Sequence, residues 1–128
     1  MENLLRAALI DWLRSDNALS ALNSIEEESP LNVSPAWLGI AASASVDWST
    51  KDRVGREIRI AFELATRTDA AAADATLIGA IEQRIEALPQ SQSGFDIASI
   101  RFLRTRAERR ANNRRAVLIE YRFRILAT

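Results

Sequence analysis

Leu5, Ala8, Leu9, Trp12 and Leu13 recur at the three-and-four spacing of a single helix face. This predicts an amphipathic helix over residues 2–14, closed by the polar run Ser15-Asp16-Asn17. Residues 18–35 lose that rhythm. A short apolar piece, Ala18–Ile25, gives way to Glu26-Glu27-Glu28-Ser29-Pro30 and a second proline at Pro35, which predicts a turn or short strand and then a loop. Over 36–46, Leu38, Ile40, Ala42, Ala44 and Val46 alternate with Trp37, Gly39, Ala41, Ser43 and Ser45, the period of a strand with one small-residue face. Ile58, Ile60, Phe62 and Leu64 then alternate with Arg59, Ala61 and Glu63, a second strand reached through the polar, glycine-hinged loop Asp47–Arg56.

Thr68-Asp69 offers an N-cap, and Leu77, Ile78, Ile81, Ile85 and Leu88 follow at helical spacing to Pro89. That predicts a helix of about twenty residues, ~30 Å long. Its alanine run, Ala70–Ala73 with Ala75, would let it lie close against a sheet. After a loop at Pro89–Gly94, Ile97–Arg106 reads as a strand and Ala107–Arg115 as a polar turn. Val117, Ile119, Tyr121, Phe123 and Ile125 give a final, clean alternation. The order α-β-β-β-α-β-β predicts an α+β fold: an antiparallel or mixed sheet of four to five strands with two main helices on one face.

At 128 residues the chain fits one domain, 1–128, able to bury roughly two-thirds of its unfolded surface. Charges within Met1–Leu13 break any signal-peptide pattern, and no run approaches the ~18 apolar residues of a membrane span. We therefore expect a soluble protein made in a cytoplasm, with no membrane partner.

The chain contains no cysteine and no histidine, which excludes disulfides, thiolate nucleophiles, imidazole bases and Cys/His zinc sites. Lys51 is the sole lysine and sits in a polar loop, where it stays solvated rather than activated. We read the chain as a non-enzyme without a cofactor. Its zero net charge is unevenly spread: residues 1–100 hold eight basic against fifteen acidic groups, and residues 101–128 hold nine arginines against Glu108 and Glu120. Arginine suits bidentate contact with carboxylates or phosphates.

The segment from Asp47-Trp48-Ser49-Thr50-Lys51 to Gly55-Arg56-Glu57 is the most specific in the chain. With the N-terminal helix ending in Leu13-Arg14-Ser15-Asp16, the proline-flanked loop, the alanine-rich helix to Leu88-Pro89, Ile100-Arg101-Phe102 and the arginine-rich final hairpin, it resembles the tail-completion or tail-terminator proteins of long-tailed phages and gene transfer agents. One departure is Glu108-Arg109-Arg110-Ala111-Asn112-Asn113-Arg114, where relatives place a short glycine-bearing turn.

The resemblance implies an assembly protein. It would form a homo-oligomeric, hexameric ring on the tail tube, with the major tail tube protein and a head-completion or stopper protein as partners. It would reside at the head–tail junction of a virion or gene transfer agent particle, after assembly in the host cytoplasm. Asp47, Trp48, Ser49, Thr50, Lys51, Arg53, Arg56 and Glu57 are its candidate interface. Arg104, Arg106, Arg109, Arg110, Arg114 and Arg115 are candidates for an interface or for non-specific contact with passing DNA.

Each candidate also has a plainer reading. Trp48 could be an aromatic anchor at a strand end, Glu26–Glu28 a solvated loop or a partner for arginines, and the arginine hairpin solvated charge. Val54 is the one strongly apolar residue besides Trp48 in the 47–56 loop, so we expect that loop to be mobile until a partner arrives. Alternatives in function are a head-side stopper or adaptor, or a small nucleic-acid-binding module that uses the C-terminal hairpin.

Overall fold

The structure, a computed structural model, describes residues 1–67, 69 and 71–128. Helix α1 (Glu2–Arg14) forms where the apolar spacing predicts it and buries Leu5, Leu9, Ile10 and Leu13. The Asp16 carboxylate accepts from the Ala18 amide at 3.0 Å and starts a single 3-10 turn, Asn17–Leu19. There follow β1 (Ser24–Ile25), β2 (Trp37–Asp47), β3 (Gly55–Arg67), α2 (Ala71–Glu86), β4 (Ser91–Gln92), β5 (Phe95–Arg110) and β6 (Arg114–Ala127). The strands form one sheet in the order β1-β2-β3-β6-β5-β4. β1 runs parallel to β2 and every other pairing is antiparallel, so the sheet is mixed. The α+β class is as expected, but among the described residues the strands number six. The extra count comes from two-residue strands, too short to show a period.

β3 pairs with β6 from Gly55↔Leu126 to Arg67↔Arg114, which sets Ile58, Ile60, Phe62 and Leu64 beside Phe123, Tyr121, Ile119 and Val117. All eight are buried. Burial of side chains of this size contributes about 1.5–3 kcal/mol each, the main source of stability here. Both helices cover this face. The Tyr121 hydroxyl donates to Glu86 at 2.5 Å and that of Thr105 to Glu82 at 2.9 Å, both on α2. Ser43 of β2 donates to Glu2 and accepts from Arg6, both on α1. Trp12 and Arg84 clasp the two helices together. The guanidinium lies 3.3 Å from the indole centroid, Trp12 Nε1 donates to the Arg84 carbonyl, and Arg84 Nε donates back to the Trp12 carbonyl.

Three local expectations need correction. First, the 36–46 alternation does not keep one face, because a bulge between Ile40 and Ala42 adds a residue to β2. Leu38 and Ile40 face the helices, but Ala42, Ala44 and Val46 pair with Ala61, Arg59 and Glu57 on the other side. Ser43 and Ser45 turn inward instead. One inserted residue inverts everything after it.

Second, Ala107–Arg115 is not a turn. β5 runs on to Arg110 and β6 starts at Arg114, which leaves only residues 111–113. Asn112 and Asn113 take φ values of 62° and 60° there, a region that asparagine tolerates among non-glycine residues. That is how the chain dispenses with the expected glycine.

Third, the predicted cap residue Thr68 lies outside the described residues, and α2 spans sixteen residues, about 24 Å. Ala72, Ala73 and Ala75 are exposed rather than packed on the sheet, while Asp74 between them is buried.

Candidate functional site

The loop from Asp47 to Arg56 is anchored by its polar atoms. Its ends close as a ladder, with Asp47 opposite Arg56 and the Trp48 amide donating to the Gly55 carbonyl at 2.9 Å. Ser49 Oγ donates to Asp47 at 2.7 Å and accepts from the Gly55 amide at 3.0 Å. The Thr50 amide donates to the Arg53 carbonyl, and the Arg53 amide donates to Thr50 Oγ1, which leaves Lys51 and Asp52 exposed at the tip. Gly55 is required at this point: a Cβ there would sit 2.5 Å from the Trp48 carbonyl oxygen and 2.8 Å from that of Ile125.

Arg53 ties the loop to β6 and β5 at the same end of the sheet. Its Nε donates to the Ala127 carbonyl at 2.9 Å, and its Nη2 donates to Asp96 at 2.9 Å and to the Leu126 carbonyl at 3.2 Å. The expectation that little holds this loop is thereby corrected. Its apolar content is low, as expected, but the fold supplies backbone carbonyls and Asp96 from strands distant in sequence. Trp48 is partly buried, with the Arg124 guanidinium 5.4 Å from its ring. Glu57 accepts from Arg124 Nε at 3.0 Å, and Arg56 is exposed, its Nη1 3.5 Å from Ser45 Oγ. All eight candidate interface residues therefore cluster at the end of the β2–β3 hairpin.

The arginine candidates do not form one group. Arg104, Arg106 and Arg110 lie on the sheet face away from the helices and meet acids of their own hairpin: Arg104–Glu120 at 2.5 Å, Arg106–Glu108 at 3.0 Å and Arg110–Glu108 at 3.1 Å. The bond to Glu120 raises the Arg104 pKa further. Arg109 and Arg114 are exposed and show no ion pair among the described residues. Arg115 is committed inward, its Nη2 2.5 Å from Asp74, which also accepts from Thr66 at 2.8 Å. Glu26 and Glu27 are paired within the chain as well, with Arg14 at 2.6 Å and Arg6 at 3.5 Å.

Arg59, Arg101, Arg122 and Arg124 were not candidates, yet all four lie on the open sheet face with Arg104 and Arg106. Alternation alone turns each of them outward. What the sequence lacks is the register that makes them neighbours.

A six-stranded mixed sheet with two helices on one face, a bonded loop at one end and a charged opposite face defines a small α+β protein. A chain in a structure described as the virion of a native gene transfer agent particle shares this fold, with a TM-score of 0.80 and 21% identity over 98% of this chain and 96% of that one. A second solved protein is more distant, with a TM-score of 0.53 and 16% identity over 100% of this chain and 96% of that one. Among curated protein sequences there is no significant match. The Tail completion protein gp17 family matches residues 7–126, and the chain belongs to that family. It is a structural protein of tail completion.

Proposed function

We propose that this protein caps the tail tube of a phage-like particle as an oligomeric ring, hexameric in the finished particle, and joins the tube to a head-completion or stopper protein. Family membership across residues 7–126 carries the reading. Likeness in fold to a chain of a gene transfer agent virion supports a place in such a particle, at the head–tail junction.

The geometry is suited to ring closure. Beyond Leu38 the outer edge of β2 has no strand partner among the described residues, and Ala41–Val46 along it is small and uncharged. At the other side of the sheet β4 covers only Phe95 and Asp96 of β5. Two unlike open edges suit head-to-tail contacts, which close into rings when the rotation permits. The Asp47–Glu57 cluster, with Trp48 at its base and Lys51 at its tip, supplies the specific contact. No catalytic step belongs to this role.

The test is to add purified protein to tail tubes that lack their terminator and to image the tube ends. A ring at one end is the expected result. Trp48→Ala should keep the melting temperature within about 4 °C of the parent, since the ring is only partly covered, yet reduce capping. Bare tubes, with the protein bound only to head connectors, would reject the terminator reading in favour of the head-side stopper.

A further inference from the structure

The register of the three central strands sets three arginines side by side. Arg59 of β3 pairs with Arg122 of β6, and Arg122 pairs with Arg101 of β5, so one transverse row of the open face reads Arg59–Arg122–Arg101, with Ala44 at its end. Strands lie about 4.8 Å apart, which places three cationic side chains within about 10 Å. Like charges opposed across strands are destabilising, so the row works against the fold that carries it.

Little on the protein answers this charge. Glu57 Oε1 is 3.0 Å from Arg124 but 3.9 Å from Arg122, and Arg122 Nε, though buried, has no hydrogen-bond acceptor. Arg59 and Arg101 are exposed and make no ion pair among the described residues. Neighbouring Arg104, Arg106 and Arg124 are matched to Glu120, Glu108 and Glu57. Arg109 and Arg114 at the hairpin end are also exposed and without an ion pair among the described residues, but only in this row do unmatched charges stand side by side across three strands.

We propose that the Arg59–Arg122–Arg101 row is a docking site for the phosphate backbone of duplex DNA. Guanidinium groups take phosphate oxygens in bidentate fashion, and a row of them fits a ligand whose charges repeat regularly. A protein interface needs buried apolar or aromatic anchors at its centre, but the side chains bordering the row on β2 and β3 are Ala42, Ala44, Val46, Glu57 and Ala61, of which Val46 alone is strongly apolar. A second copy of the chain offers no matching acidic row among its described residues either. Its exposed acids without an ion pair include Asp11, Glu28 and Asp52, which stand on α1, the β1–β2 connection and the loop tip. Contact confined to phosphates reads no sequence, as suits DNA that passes a ring. The biological setting rests on the tail reading, but the chemistry of the row does not.

The experiment measures fluorescence anisotropy of a labelled mixed-sequence duplex of about 20 base pairs between 50 and 200 mM salt. Three neutralised phosphates give a slope of about −2.7 in log affinity against log salt, roughly a 40-fold loss across that range. Arg59→Gln with Arg101→Gln should make the slope shallower by about 1.8, while circular dichroism stays that of the parent. Arg109→Gln with Arg114→Gln, at the hairpin end, should leave it unchanged.

A parent protein that binds no duplex, or a slope that falls with the hairpin-end variant and not with the row variant, overturns the proposal. So does displacement of the DNA by poly-glutamate at equal charge, which would make an acidic protein the partner. Protein that caps tubes but binds no DNA defeats the row alone. Protein that binds DNA through the row but never caps defeats the tail reading alone.

Discussion

Replacing Arg115 with serine removes the cation from a carboxylate that the fold has buried. The Asp74 side chain is 5% exposed and its Oδ2 accepts from Thr66 Oγ1 and Arg115 Nη2, in the first turn of α2 where helix amides also favour negative charge. Breaking a fully buried pair by removing one partner costs about 3–5 kcal/mol. Arg115 itself is 24% exposed, so water already screens part of the pair, and we expect about 2–3 kcal/mol. That is a large share of a total near 5–15 kcal/mol. Urea unfolding followed by circular dichroism should show it as a lower midpoint with an unchanged slope. Arg109→Ser, directly across the ladder from Arg115 but exposed, should cost less than about 0.5 kcal/mol. Asp74→Asn combined with Arg115→Ser should cost less than the two singles added, with a coupling above about 1 kcal/mol. An Arg115→Ser loss equal to that of Arg109→Ser, with no coupling to Asp74, would refute the reasoning and return Arg115 to the outward-facing set. A practical consequence is that serine at 109, 110, 114 and 115 together is not a pure surface change, since it also cuts this internal pair.

Two glycines should respond in opposite directions to alanine. Gly55→Ala meets two carbonyl oxygens and Leu126 at 2.5–2.8 Å and should destabilise by about 1–3 kcal/mol, whereas Gly79→Ala, exposed within α2 with nothing near its Cβ, should stabilise by about 0.5–1 kcal/mol. Thermal melts of both variants check this, and a gain from Gly55→Ala would show that the loop closure is mistaken. Tyr121 is buried with its hydroxyl on Glu86, so burial first and the carboxylate second push its pKa well above the ordinary 10.0. The phenol stays protonated in both states below pH 10 and costs nothing there. Above that the unfolded chain ionises while the fold keeps its proton, so stability falls as pH rises. Tyr121→Phe should flatten that alkaline decline, and a parallel decline in urea midpoints above pH 10 would contradict it.

Helix α1 and the core faces of β3 and β6 were legible because their signal is local. A stripe at helical spacing or an alternation of Ile58–Leu64 and Val117–Ile125 depends only on each segment. Those periods select Leu5, Leu9, Leu13 and both alternating sets, all buried, although Ile10 and Leu118 are buried off them and Ala8 and Trp12 are covered only in part. The Asp47–Glu57 cluster was legible through motif resemblance rather than through any period. Polar segments gave no comparable signal. Ala107–Arg110 carries no apolar face, so nothing in the chain showed that β5 continues to Arg110 on the strength of backbone pairing alone. The Ala41 bulge was invisible for a related reason: period two looks unbroken through a run of alanines and serines, and only pairing with β3 shows where one residue goes unmatched. Register is non-local. It decides that Arg115 turns in to Asp74, that Arg53 reaches Asp96 and the C-terminal carbonyls, and that Arg59, Arg122 and Arg101 stand in one row although they lie on three strands. The sequence alone determined which residues are hydrophobic enough to bury and at what spacing. The tertiary structure determined which charges meet, because Coulomb and hydrogen-bond energies depend on distances that chain separation does not specify.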